Sequence, residues 1–181
     1  MHDRGFALVV GASGGLGAAC AEVLAEAGWP VVLTYAGGAS RAHAVAERIR
    51  AAGGVVEDVR RLRLPADDPG DLTGCGALIF AAGADIGQPY LSQTPADALR
   101  AAVDTELHGF FALMSAALPA LRQRSGRVVA LVSAGLGRWP PGDGLSVVPK
   151  AGVAAMVGPQ GHSLEVAVAK PLTSGTNAPS A

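Results

Sequence analysis

The sequence predicts an α/β domain in which a parallel sheet is wound on both faces by helices, giving three layers. Three observations carry that prediction. Short apolar runs without polar alternation recur along the chain, as strands buried on both faces of a parallel sheet do. Stretches with apolar residues at i, i+3, i+4 and i+7 alternate with them, the pattern of helices with one buried stripe. The chain has 181 residues, half of them hydrophobic, enough for one domain whose core needs no disulfide or metal.

Each element follows in order. Phe6 to Val10 is the first buried strand and stops at Gly11. From Leu16, the positions Ala19, Cys20, Val23, Leu24 and Ala27 mark an amphipathic helix closed by Gly28. Val31 to Tyr35 repeats the strand pattern, and Ser40 to Ala52 gives a helix with Ala42, Val45, Ala46 and Ile49 inward. A third strand lies within Val55 to Leu64, interrupted by arginines, and Ala77 to Ala82 is expected as the fourth. The polar stretch between them, Pro65 to Gly76, is barely long enough to return a parallel strand, so this crossover is expected without a full helix. Thr94 and Pro95 read as cap and first-turn proline of a long helix with the stripe Leu99, Val103, Leu107, Phe110, Met114, Leu118 and Leu121. Arg127 to Val132 is the fifth strand. Ser146 is expected to cap a helix reaching Val157, with Pro149 in its first turn, and Leu164 to Ala169 is a candidate sixth strand.

Charge and cysteine content narrow the function. Fourteen basic against fifteen acidic residues leave a net charge of −1, which offers no field for nucleic acid or an anionic membrane. Neither partner is expected. Cys20 and Cys75 have neither disulfide-framework numbers nor zinc-ligand spacing, so no metal is expected and a reducing cytosol fits. The apolar run at Phe6 to Val10 is too short for a leader or a span, and a soluble, unprocessed cytoplasmic chain is the expectation.

In such folds ligands bind at the carboxyl ends of the strands. Gly11, Gly83 and Ser133 stand at such ends. The segment Gly11-Ala12-Ser13-Gly14-Gly15-Leu16-Gly17 lies between a buried strand and an amphipathic helix. There a glycine-rich turn lets backbone N–H groups and the helix N-terminus approach a phosphate. The plain alternative is a tight turn with glycines chosen for positive φ or close packing. Its spacing is GxxxGxG. With this segment the chain resembles the short-chain dehydrogenase/reductase family, NAD(P)-dependent oxidoreductases on a Rossmann-type sheet, over roughly residues 5–157.

The resemblance extends further. Ala82 and Gly83 fit the end of the family's NNAG motif, with Ala81 in place of an asparagine. Ser133 matches the catalytic serine and Lys150 the lysine of YxxxK. It implies cofactor contacts from Gly11, Ser13, Gly15, Leu16, Gly17, Ala82, Gly83 and Lys150, and catalysis by Ser133 and Lys150. The family's tyrosine is replaced by Ser146, thirteen residues beyond Ser133, and Glu106 stands at the position of its active-site asparagine. A phenol with a pKa of about 10 can be tuned to move a proton, whereas a serine hydroxyl is a far weaker acid on a shorter arm. Tyr90, on the loop after the fourth strand, is the candidate replacement acid, against the ordinary role of a loop tyrosine packing its ring. His108 reads as a helix-surface histidine.

Thr34-Tyr35-Ala36-Gly37 carries no acid to hold a ribose 2′-hydroxyl, and Arg41 follows, so NADP is favoured over NAD. The stretch Arg61 to Leu64 lacks the aspartate the family places near adenine. Residues 1–157 are read as the dinucleotide-binding domain. Residues 158–181 are either a pared-down end of the fold or a tail from a shifted reading frame. The expected activity is hydride transfer between nicotinamide and a carbonyl or alcohol. The alternative is a non-catalytic dinucleotide-binding or partner-binding protein, and a homo-oligomer is expected through the helices containing Phe110 and Lys150.

Overall fold

A computed structural model describes residues 4–83, 87, 89–138, 140–157 and 164–169. Six strands form one sheet: β1 (Phe6–Val10), β2 (Val31–Tyr35), β3 (Val56–Arg61), β4 (Cys75–Phe80), β5 (Arg127–Ser133) and β6 (Leu164–Ala169). All neighbours pair in parallel in the order β3-β2-β1-β4-β5-β6. The chain therefore winds outward from β1 in one direction and from β4 in the other, and the crevice between these strands is the switch point of a Rossmann-type sheet. The helices are α1 (Gly15–Glu26), α2 (Ala39–Ala51), α3 (Ala96–Val103), α4 (Gly109–Gln123) and α5 (Gly144–Val157).

Period-two alternation along the strands divides the core between the two faces. Leu8, Val10, Leu78, Phe80 and Val128 pack on one side against Phe110 and Leu113 of α4 and Val153 of α5. Phe80 meets Phe110 edge-on, ring centroids 5.0 Å apart. Ala7, Val9, Val31, Leu33 and Ala77 pack on the other side against Ala21 of α1 and Val45, Ala46 and Ile49 of α2.

The structure corrects four details of the sequence reading. In α1 the fully buried residues are Gly17 and Ala21 with Ala25 beside them, whereas Leu16 and Val23 are 52% and 64% exposed. The smallest residues, not the most apolar, face the sheet, because they let the helix axis approach it closely. β4 begins two residues earlier than expected: Cys75 is already paired with Phe6, and residues 81–83 lie beyond the strand. The long helix starts at Ala96 with Pro95 before it as N-cap, and Thr94 Oγ1 donates to the Tyr90 carbonyl instead of capping. Its middle, Asp104–His108, is a π-helical turn that rotates the buried stripe onto Ala102, Glu106, Phe110, Leu113 and Ala117. Finally, α5 starts at Gly144. Ser146 is therefore in its first turn and Pro149 in its second, and the Asp143 carbonyl accepts from the amides of Ser146 and Val147 at 3.1 and 2.9 Å.

The β3–β4 crossover, residues 62–74, contains no helix. Buried Leu62 and Leu72 pin its ends, and carboxylates of Asp67, Asp68 and Asp71 accept from the amides of Arg63, Gly70 and Thr73. Short side-chain turns replace helical hydrogen bonds there. Of residues 158–181, assigned from sequence to a C-terminal segment, 158–163 and 170–181 lie outside the described residues.

Candidate active site

The turn from β1 into α1 is built by backbone constraint. Gly11 has φ +87°, and a Cβ there would lie 2.8 Å from the Ala81 carbonyl oxygen. Gly17 packs against the Gly11 carbonyl so closely that no side chain fits. The amides of Gly11 and Ala12 both donate to the Thr34 carbonyl, at 3.2 and 2.9 Å, and that of Gly14 donates to the Gly11 carbonyl at 3.1 Å. The α1 N-terminus has no side-chain cap and no acidic residue in its first turn. Its first amides lack acceptors within the helix, and the positive end of its dipole is uncompensated.

Beside this turn lies a cleft of about 560 Å³ at the carboxyl ends of β1, β2 and β4. Gly11, Ser13, Ala82 and Gly83, all singled out in the sequence, line it together with Gly14. Gly15, Leu16 and Gly17 form the first turn of α1 next to it, with Gly15 open on its side-chain face and Leu16 half exposed. The outer wall is Ala36, Gly37, Gly38 and Arg41, whose Nε donates to the Ser13 carbonyl at 3.1 Å. Val10 and Ala81 line it too, and Leu62, Leu64 and Thr105, which the sequence reading did not assign to the site, complete the lining. Their signal was present only as an apolar pair following an arginine-rich strand.

Lys150 lies beside Gly83 of the lining, although neither Lys150 nor Ser133 is itself among the residues lining the cleft. A Cβ on Gly83 would lie 3.7 Å from Lys150 Nζ and 3.9 Å from Glu106 Oε1. Lys150 Nζ donates to Glu106 Oε2 at 2.6 Å, with the Glu106 side chain 1% exposed and the lysine 16%. A carboxylate so deeply buried is tolerable because it is paired and hydrogen-bonded. The sequence identified Glu106 as a substitution but not as the partner of Lys150.

Ser133 ends β5, and its Oγ accepts from the Gly135 amide at 3.0 Å. The same hydroxyl donates to Asp143 Oδ2 at 3.2 Å. Asp143 was missed in the sequence, although it lies seven residues before Lys150, two helical turns, and so on the same side of α5. Tyr90 is 59% exposed ahead of a short 3-10 turn and is not among the residues lining the cleft. His108 pairs on the surface with Asp104 at 2.9 Å. No cluster of metal ligands and no helix long and apolar enough to cross a membrane occurs among the described residues.

Comparison with known proteins agrees with this geometry. The family model for short chain dehydrogenases matches residues 5–156. The 3-oxoacyl-[acyl-carrier-protein] reductase of Staphylococcus aureus is 32% identical over 155 residues, covering 81% of this chain and 63% of that protein. The chain thus spans less than two thirds of the length of these curated relatives. Among solved structures, a 3-oxoacyl (acyl-carrier-protein) reductase from Agrobacterium tumefaciens with NADP bound superposes with a TM-score of 0.74 at 27% identity, over 92% of this chain and 70% of that one. A landomycin C-6 ketoreductase with bound NADP and rabelomycin gives 0.75 at 25% identity, over 84% and 67%.

Proposed function

The chain belongs to the short chain dehydrogenase family, and from that premise we propose that it binds NADP(H) and moves hydride between the nicotinamide and a carbonyl or alcohol substrate. The observation carrying this reading is the glycine cradle, in which Gly11 and Gly17 leave no room for a Cβ and the α1 N-terminus stands uncapped beside the cleft. A pyrophosphate fits such a place, since backbone amides can surround it and the helix dipole favours its charge.

The residues present fit the cofactor. The amides of Ser13, Gly15, Leu16 and Gly17 would take the pyrophosphate. Arg41, with no acidic residue at the end of β2, would pair with a ribose 2′-phosphate, which favours NADP over NAD. Ala82 and Gly83 leave space for a ribose, Lys150 would hold the nicotinamide ribose, and Ser133 Oγ would meet the substrate oxygen. When bound, the dinucleotide supplies or receives the hydride. Residues 1–157 form the dinucleotide-binding domain in this proposal. Phe111 on α4 and Val148 on α5, 54% and 43% exposed, support self-association through those helices.

A second reading, dinucleotide binding without turnover, is favoured by the absence of a phenol at Ser146 and by the commitment of Lys150 to Glu106. Calorimetry with NADPH and NADH, followed by turnover of 3-oxoacyl thioesters and a ketone panel, separates the two. Binding with turnover supports the enzyme, and binding alone supports the second reading. No heat with either coenzyme overturns both.

A further inference from the structure

We propose that Asp143 is a positioning residue that turns the Ser133 hydroxyl into a hydrogen-bond acceptor toward substrate, so that the site binds an alcohol in preference to a carbonyl. This rests on the oxidoreductase reading above and deepens it. A serine hydroxyl has one proton and two lone pairs. An ionised carboxylate only accepts. The 3.2 Å contact between Ser133 Oγ and Asp143 Oδ2 therefore fixes the direction of the serine proton: it lies on the aspartate. The Gly135 amide, 3.0 Å from Ser133 Oγ, fills one lone pair. The hydroxyl is left with one unused acceptor position and no proton to give.

A carbonyl oxygen needs a donor, so it finds none at Ser133 while Asp143 is ionised. A substrate hydroxyl, which donates, fits the remaining lone pair. The geometry is held from both sides. A Cβ on Gly135 would lie 2.6 Å from Asp143 Oδ2 and 3.0 Å from Ser133 Oγ, so glycine is what lets the two side chains meet. Asp143 immediately precedes α5, and its own carbonyl is held by the amides of Ser146 and Val147.

The proton path then bypasses the serine at position 146. The alcohol proton passes to Ser133 Oγ as the serine's own proton passes to Asp143 Oδ2. The carbinol hydrogen leaves as hydride to an oxidised nicotinamide dinucleotide. The alcohol is oxidised to a carbonyl compound, the dinucleotide is reduced, and the released proton rests on the Asp143 carboxylate until water removes it.

Two measurements test this. Neutron diffraction from deuterium-exchanged crystals of the full chain at neutral pH is expected to place the Ser133 deuteron on the line to Asp143 Oδ2; a deuteron directed away from Asp143 overturns the proposal. In the coenzyme-loaded protein, the 3-hydroxybutyryl and acetoacetyl thioesters of N-acetylcysteamine serve as a matched alcohol and ketone pair. Asp143→Asn is expected to lower alcohol oxidation on the order of 10²-fold, the usual worth of a placed proton acceptor. Coenzyme Kd should stay within roughly twofold, since neither group is assigned to the phosphates. In the non-reacting complexes, the alcohol thioester with NADPH and the ketone thioester with NADP, Asp143→Leu, which releases the hydroxyl to donate, should weaken binding of the alcohol relative to the ketone, read as the ratio of their dissociation constants. An unchanged ratio of those two dissociation constants in Asp143→Leu overturns the proposal. A chain that fails to bind coenzyme or to turn over either thioester defeats the oxidoreductase reading instead, and the deuteron position then decides the assignment of Asp143 by itself.

Discussion

Lys150 Nζ and Glu106 Oε2 stand 2.6 Å apart beside Gly83, joining α5 to the π-helical turn between α3 and α4. The pair links two segments 44 residues apart in sequence. Removing one partner leaves the other buried without its counter-charge, which is worth more than the pair itself contributes. Lys150→Ala or Glu106→Ala should each lower stability by about 3–5 kcal/mol in denaturant titration. The double variant should lose clearly less than the sum, because neither charge is then stranded.

The glycines of the β1–α1 turn divide by the space around them. Gly11→Ala places a side chain at positive φ against the end of β4, and Gly17→Ala drives one into the Gly11 carbonyl. Each should cost about 1–3 kcal/mol and abolish the calorimetric signal of NADPH. Gly15→Ala meets nothing within 4 Å and should be neutral or stabilising by up to about 1 kcal/mol. Equal losses at all three positions would contradict the cradle.

Arg41 anchors to the Ser13 carbonyl at the outer wall of the cleft. Arg41→Ala should weaken NADPH binding by about tenfold or more while changing NADH binding far less, because only the former carries a 2′-phosphate for the guanidinium. Parallel fluorescence titrations with the two coenzymes measure the difference.

Burial pushes the Cys75 thiol up from an ordinary value of 9.0 to about 11. The folded state thus keeps a proton that the unfolded chain releases first. Stability from this group is complete below pH 9 and is lost as pH rises toward 11, by up to roughly 2–3 kcal/mol. Relative to Cys75→Ala, the wild type should lose ground between pH 9 and pH 11 in urea midpoints. Cys20, half-buried and raised less, should be the thiol that reacts with a disulfide reagent in the native protein.

Much of this was legible along the chain because it is local. The runs Phe6 to Val10 and Val31 to Tyr35 announce strands covered on both faces, and α2 buries Ala42, Val45, Ala46 and Ile49 as its spacing requires. The glycine pattern at 11–17 marks a tight strand-to-helix turn because positive φ and close approach are properties of single residues. Failures came where packing outweighs hydrophobicity. In α1 the sheet selects Gly17 and Ala21 over Leu16 and Val23, since close approach of helix to strand depends on small size. The π-helical turn that carries Glu106 inward has no sequence period of its own.

The residues by themselves determined the winding of the sheet, the glycine turn between β1 and α1, and the absence of a phenol where Ser146 stands. Only the folded chain decided that Glu106 neutralises Lys150 and that Asp143 holds Ser133, because both pairs join side chains distant along the chain. Their meeting depends on where α5 lies across β5 and the π-helical turn, and no local preference encodes that placement.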